Sequence, residues 1–450
     1  MARNSSSTLE DPVVERGSTE AASRIVERLL GGFDGSFALR LWNGVTHYFG
    51  PGSPEFTFVF HDPGTLREMV LRRSPLPLAD AYFRGRADIE GDLYAVLRLK
   101  THFQQMSLTA RERAGLLVDA LRLAFATPNG EAADVGSLRP THAFGRDHTP
   151  DSDREAITHH YDVSNEFYRL FLDERMVYSC AYFRATGNSL DQAQADKLDH
   201  VCRKLRLREG ERLLDIGCGW GALVIWAARH YGVHAHGITL SERQLELARE
   251  RIEREGLSDR VKVELRDYRA LEGVGVYDKA SSIGMLEHVG LSNLLNYHEV
   301  VHRVLKPNGL FLNHGITHAT DGWQPRAVES QFINRYVFPD GELDTVSNVQ
   351  RSMERARFEI HDVENLRPHY AMTLRHWVQR LEANHEEALR HVNEATYRVW
   401  RVYMAACALE FEGGGTSIHQ ILASRRPDHE PYRSPVPLTR SDLYEPRKSC

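Results

Sequence analysis

The sequence predicts an α/β protein: a parallel sheet with a helical cap, preceded by a small α+β domain. Three observations carry this. Between Arg212 and His314, short apolar runs alternate with helix-length segments, the pattern of parallel strands joined by crossover helices. The first run ends in a glycine-rich turn, Leu213-Leu214-Asp215-Ile216-Gly217-Cys218-Gly219-Trp220-Gly221, and leads into a helix. Ahead of all this, Phe37 to Leu41 and Phe56 to Phe60 alternate like strands and helical segments follow them.

The 450 residues are enough for more than one domain, and 42% hydrophobic with 26% charged residues is ordinary for a globular chain. A net charge of -6 gives no footprint for nucleic acid. No apolar run approaches the roughly 20 residues that span a bilayer. Residues 1–22 are polar, lack the apolar core of a signal peptide and read as disordered, so a cytoplasmic protein is expected. Cys180, Cys202, Cys218, Cys407 and Cys450 have neither disulfide-framework nor metal-ligand spacing and read as reduced thiols. The 23 histidines include no H-E-x-x-H pair, and no metal is predicted.

Taken in order, Ala22 to Leu30 reads as a short amphipathic helix ended by Gly31-Gly32. The strands Phe37 to Leu41 and Phe56 to Phe60 flank the turn residues Gly50 to Pro54. Helices follow over Thr65 to Arg73 and, broken around Ser107, over Leu93 to Phe125; residues 23–126 form the first domain. Within it, Arg84 and Arg86 sit beside aromatics, suited to a phosphate or to a charged turn satisfied by Asp88 and Glu90. Arg111, Arg113 and Arg122 flank an apolar helix face suited to anionic lipid or to the core. Residues 127–153 read as a linker, being poor in apolar residues and rich in Pro, Gly, His and Asp.

The second domain is assigned to residues 154–425. Met176 to Phe183 mixes polar and aromatic residues with no regular period, as a lined site or a surface loop does. Strands are expected at Arg212 to Ile216, His234 to Ile238, Val261 to Leu265, Tyr277 to Ile283 and Leu310 to His314. Helices are expected at Ala222 to Tyr231, Ser241 to Glu255 and Leu291 to Leu305, and Lys306-Pro307-Asn308-Gly309 is a turn. Trp323 to Thr345 and Tyr370 to Phe411 are read as cap segments, with Leu374, Trp377 and Leu381 on one helical face. Residues 426–450 read as a disordered tail.

Ligands of such a sheet bind at the carboxyl ends of its strands. The glycine loop suits S-adenosylmethionine, although Gly217-x-Gly219-x-x-Ala222 also satisfies a nicotinamide fingerprint. The second strand ends in Thr239, where a nicotinamide site places an acidic residue. Asp267 and Tyr268 end the third strand and could flank an adenine, or Asp267 could cap a turn. Glu287 and His288 follow the fourth strand and His314 ends the fifth, groups suited to proton handling or anion binding.

Several ordered motifs over roughly residues 80–425 resemble the cyclopropane-fatty-acyl-phospholipid synthases and the related mycolic acid cyclopropane synthases. They are His160-Tyr161-Asp162-Val163-Ser164-Asn165, Tyr178-Ser179-Cys180, the glycine loop, Thr239-Leu240-Ser241-x-x-Gln244 and Gly284-Met285-Leu286-Glu287-His288-Val289-Gly290. Tyr336-Val337-Phe338-Pro339-Asp340-Gly341, His369-Tyr370-x-x-Thr373-Leu374-x-x-Trp377 and Ala405-Ala406-Cys407-Ala408 complete the set. The resemblance implies a Rossmann-like class I methyltransferase sheet. It also implies methyl transfer from S-adenosylmethionine to a cis double bond of a phospholipid acyl chain, with ring closure after loss of a proton to bicarbonate.

By resemblance, the bicarbonate cage is Glu287, the side chains of His314 and Tyr370, and the backbone of Cys180 and Ile316; Cys407 is the cysteine the family singles out. The donor residues are Tyr178, Ser179, Leu214, Asp215, Gly217, Cys218, Gly219, Trp220, Gly221, Thr239, Leu240, Ser241, Gln244, Asp267 and Tyr268. Asp267-Tyr268 replaces the Gly-Trp of many relatives. The first domain is expected to serve lipid or dimer contacts, and the protein to act as a peripheral enzyme, a homodimer being one arrangement, at the inner membrane face. A product left methylene- or methyl-branched is the nearest alternative, and a non-catalytic S-adenosylmethionine- or lipid-binding protein the more distant one.

Overall fold

The fold is that of a computed structural model, which describes residues 12–72, 76–123, 163–319, 342–427 and 432–439. The linker at 127–153, the His160-Tyr161-Asp162 motif, Trp323 to Gly341 and Cys450 lie outside these residues. The rest falls into two compact units, one within residues 1–139 and 393–406, the other within 140–392 and 407–450. Residues 393–406 were assigned to the second domain from sequence, and they group with the first.

The first unit is a four-stranded sheet in the order β2-β1-β3-β4: β1 Phe37–Arg40, β2 Thr46–Phe49, β3 Phe56–Phe60 and β4 Ala87–Gly91. β1 and β2 form an antiparallel hairpin, β3 runs parallel to β1, and β4 is antiparallel to β3. Phe37 stacks on Phe49 and Phe56 at centroid separations of 4.6 and 5.3 Å, and with Phe58 and Phe60 it builds the core.

The helix Pro12–Leu30 corrects the expectation of disorder over residues 12–22. Ser18, Ala21 and Ala22 are buried together with Ile25, Val26 and Leu29, a stripe at helical spacing that begins a turn earlier than the strongly apolar residues do. Asp119, buried on the helix Ala110–Arg122, accepts hydrogen bonds from Arg24 and Arg28, both at 2.9 Å.

The stretch around Arg84 and Arg86 is the entry to β4 rather than a self-satisfied turn. Arg84 pairs with Asp80 and Arg86 with Glu68, while Asp88 meets His61 and Arg398, and Glu90 meets Arg40. On the helix Ala110–Arg122 the apolar residues divide. Leu116 and Ala120 are in the core, whereas Leu117, Val118 and Leu121 face outward, Leu121 at 65% exposure.

The second unit is a seven-stranded sheet in the order β10-β11-β9-β8-β5-β6-β7. β5 Arg212–Ile216, β6 His234–Thr239, β7 Val261–Leu265, β8 Tyr277–Ile283 and β9 Leu305–His318 pair in parallel. β10 Phe358–Asn365 and β11 Thr416–Arg425 were not expected, and they add the antiparallel side. One core packs the helices Leu190–Lys204, Ala222–Tyr231 and Glu242–Arg254 on one face; the other packs Leu294–Val304 and Val346–Arg355 on the opposite face. Strand order reverses between β5 and β8, the crevice where α/β sheets hold ligands.

Leu374, Trp377 and Leu381 are buried along the helix Arg367–Ala383. Part of the expected disordered tail is placed: Tyr432 bonds to the Ser424 hydroxyl at 3.0 Å and Val436 packs on the sheet core. An aromatic ring and a β-branched side chain supply the apolar anchors that the tail's charged composition obscures.

Candidate active site

At the end of β5 the chain must turn sharply, and Gly217 does so at φ 79°. The N–H groups of Gly217 and Cys218 both donate to the Ile238 carbonyl at 2.9 Å, which pins the loop onto β6. That close approach is possible because β6 carries Gly237: a Cβ there would stand 2.8 Å from the Cys218 Cβ and Sγ. Beyond β6, the Thr239 hydroxyl donates to Gln244 Oε1 at 2.8 Å, and Ser241 caps the next helix by accepting from the Gln244 N–H.

These turns border a cavity of about 930 Å³, including its open mouth. Of the donor residues expected from sequence, Tyr178, Ser179, Asp215, Gly217, Cys218, Gly219, Trp220, Thr239, Leu240, Gln244 and Tyr268 line it. Four do not. Leu214 is in the core, Gly221 and Ser241 cap helices, and the Asp267 carboxylate is taken by Arg269 at 2.7 and 2.8 Å. Asp267 caps the turn after β7, the alternative that its place in the sequence left open. Lys197 and Arg266 line the cavity and were not singled out; Met285 and His288, from the motif after the fourth strand, line it as well.

Aromatic faces close one side. Tyr178 stacks on Trp377 at 5.1 Å and meets Tyr168 edge-on at 5.5 Å, and Tyr168 leans on Trp220 at 5.1 Å. The Trp220 indole N–H is held by Asn165 at 2.8 Å. Such faces favour a neighbouring cation.

The expected cage residues are linked through the backbone. Glu287 Oε1 accepts the Ile316 N–H at 2.6 Å. Ile316 pairs in register with Ile418, whose carbonyl accepts the Leu366 N–H; the Leu366 carbonyl in turn accepts from Tyr370 N–H and, weakly at 3.8 Å, from the Cys180 thiol. The Ile316 N–H is thus engaged by Glu287. Tyr370 itself leans on Phe411 at 4.7 Å.

Among the described residues, Glu287 Oε2 and His314 Nε2 are buried without a partner, as is Gln420 Oε1. Burial raises the Glu287 carboxyl to about 7 and pushes His314 well below its usual range, so His314 is neutral at physiological pH. The Gln420 amide lies 3.4 Å from His314 Nδ1. With that amide as donor, the imidazole proton sits on Nε2, which has no acceptor among the described residues. A protonated Glu287 and this N–H suit a small oxyanion. Burial likewise raises the Cys180 thiol, so it is inert as a nucleophile. Cys407 is half-buried and outside any disulfide.

The comparisons with known proteins agree with this geometry at the level of family. A family described as mycolic acid cyclopropane synthetase matches residues 148–421, and a domain of unknown function matches 25–112. This chain belongs to the mycolic acid cyclopropane synthetase family. A probable fatty acid methyltransferase of Pseudomonas putida is 42% identical over 90% of this chain and 95% of its own length. A cyclopropane-fatty-acyl-phospholipid synthase of Escherichia coli K12 is 39% identical over 59% of this chain and 66% of its own. A solved mycolic acid cyclopropane synthase, complexed with SAH and CTAB, superposes with a TM-score of 0.57 at 32% identity, covering 60% of this chain and 98% of that one. Membership of the cyclopropane synthetase family makes this protein an S-adenosylmethionine-dependent methyltransferase with the class I fold, and sets the nicotinamide reading aside.

Proposed function

We propose that this enzyme transfers the methyl of S-adenosylmethionine to the cis double bond of a phospholipid acyl chain and closes a cyclopropane ring. The observation that carries the reading is the buried Glu287 carboxyl, one oxygen held by Ile316 and the other unpartnered. An alkene acceptor must shed a carbon-bound proton after methylation, and a buried carboxyl with an unpartnered oxygen can orient the base that takes it.

The residues divide this work. The cavity-lining loop and Tyr178 hold the donor, and the aromatic faces of Tyr178, backed by Trp377, and of Trp220 exclude water and favour cationic charge. Glu287, His314 and Tyr370 would hold bicarbonate, which supplies the base when bound. Glu287 must keep its proton to do so, because two adjacent anions repel. Cys407 lies away from any role this chemistry requires and is read as a structural thiol.

Incubating the protein with S-adenosylmethionine and unsaturated phospholipid, followed by mass spectrometry of the acyl chains, tests the reading. A saturated ring is the expected product. An exocyclic alkene would move the assignment to the branched-chain alternative, and no mass gain would indicate a binding protein.

The substrate lies in a bilayer, yet no helix among the described residues is long and apolar enough to cross one. The outward strip Leu117, Val118 and Leu121, flanked by exposed Arg111, Arg113 and Arg122, supports peripheral contact with an anionic inner membrane face. Leu117→Glu with Leu121→Glu is expected to weaken sedimentation with anionic vesicles by tenfold or more, each inserted leucine contributing roughly 1.5 kcal/mol. Unchanged sedimentation would place the contact elsewhere.

A further inference from the structure

We propose that Lys197 recognises the carboxylate of the donor's amino-acid moiety, with Asp215 facing its amino group. This rests on the reading of the cavity as the donor site. It adds a specificity determinant that neither the glycine loop nor the cage supplies.

The helix Leu190–Lys204 turns an unusual polar stripe toward the interior, with Gln194, Lys197 and Lys204 all buried. Gln194 Nε2 donates to the Ser179 carbonyl at 2.9 Å, fixing the segment that carries Tyr178 and Ser179. Lys204 is ion-paired, its ammonium lying 3.0 Å from Asp362 and 2.5 Å from Glu364. Lys197, two turns earlier on the same face, is not. It is 2% exposed, and among the described residues its one hydrogen bond is to Ser179 Oγ at 3.1 Å. It forms no ion pair there; Asp173 and Asp215 attract it only from further away.

A buried ammonium held by a single hydroxyl is costly unless an anion completes its surroundings. Where Lys204 has two carboxylates, Lys197 has the cavity, which it lines beside Ser179 and Asp215. Asp215 is itself buried, steadied by the Ser281 hydroxyl at 2.7 Å. A positive and a negative side chain on one wall complement the zwitterionic end of an amino acid. Gln194 and Ser179 then act as the frame that keeps the ammonium directed at the cavity, and the charged groups of the wall discriminate against donors lacking the amino-acid group.

Calorimetric titration of S-adenosylhomocysteine and 5′-methylthioadenosine against wild type, Lys197→Met and Lys197→Arg separates the possibilities. The two ligands share adenosine and a thioether, and only the first carries the amino acid. Lys197→Met is expected to weaken S-adenosylhomocysteine by about 30-fold while methylthioadenosine stays within about twofold, and Lys197→Arg to recover part of the loss. Equal weakening of both ligands, or of neither, overturns the proposal. Should Lys197→Met fail to fold, the wild type still decides: decarboxylated S-adenosylmethionine must bind about 30-fold more weakly than the intact donor. Equal affinity refutes the role of Lys197, whereas wild type that binds none of these ligands refutes the donor site itself.

Discussion

Glu287→Gln is expected to lower methyl transfer by about 10²–10³-fold while leaving S-adenosylhomocysteine binding unchanged. The amide keeps an oxygen for the Ile316 N–H, so the backbone at β9 stays in place. What it loses is the acidic hydroxyl on the second, otherwise unpartnered oxygen, whose proton the carboxyl would share with the anion. Single-turnover measurement with saturating donor isolates this step, and unchanged turnover would remove Glu287 from the mechanism.

The same residue sets a pH dependence. Burial holds the carboxyl at about 7, so its protonated share falls as pH rises through 7. Turnover of wild type should decline on that alkaline limb, and the residual activity of the glutamine variant should lack it. Stability follows the raised-pKa sign. Relative to an unfolded carboxyl titrating near about 4.3, the native state loses stability as pH climbs from that value to about 7. At pH 8 the glutamine variant, free of that cost, should melt no lower than wild type.

Gly315→Ala is the second large effect expected, a fall of about 10²-fold in turnover with the donor still bound. Gly315 sits between His314 and Ile316 on β9, and a Cβ there would meet the Leu286 Cβ and Cδ2 at 2.8 Å. Leu286 begins the short helix that carries Glu287. One methyl therefore forces apart β9 and that helix, and with them the 2.6 Å bond that orients the carboxyl. Leu286→Gly in the same chain removes the obstruction and should restore part of the turnover. Full activity of Gly315→Ala alone would show that the spacing is not critical.

The parallel half of the sheet was legible because each strand is a short apolar run between turn signals. β5, β7 and β8 have the limits read from the sequence. β11 was not legible. Thr416–Arg425 places His419, Gln420 and Ser424 among its apolar residues, and their pairing to β9 and β10 is decided by distant chain. Lys197 was missed for a related reason: on an amphipathic helix a lysine reads as solvated, and only packing shows it buried. Asp267 shows the opposite limit, since its place after β7 was read correctly and its partner, Arg269, two residues on, was not. Ile316 enters the site through its backbone, which no side-chain pattern announces.

The membership of residues 393–406 in the first unit has a consequence for synthesis. Arg398 from this segment bonds the Tyr82 carbonyl at 2.8 Å and the Asp88 carboxylate at 2.7 Å. Roughly 250 residues separate it from the rest of that unit. A ribosome adding about 5–20 residues per second delivers it some 10–50 s later. The N-terminal unit therefore cannot finish before most of the sheet has emerged, and the nascent chain carries it incomplete through most of translation.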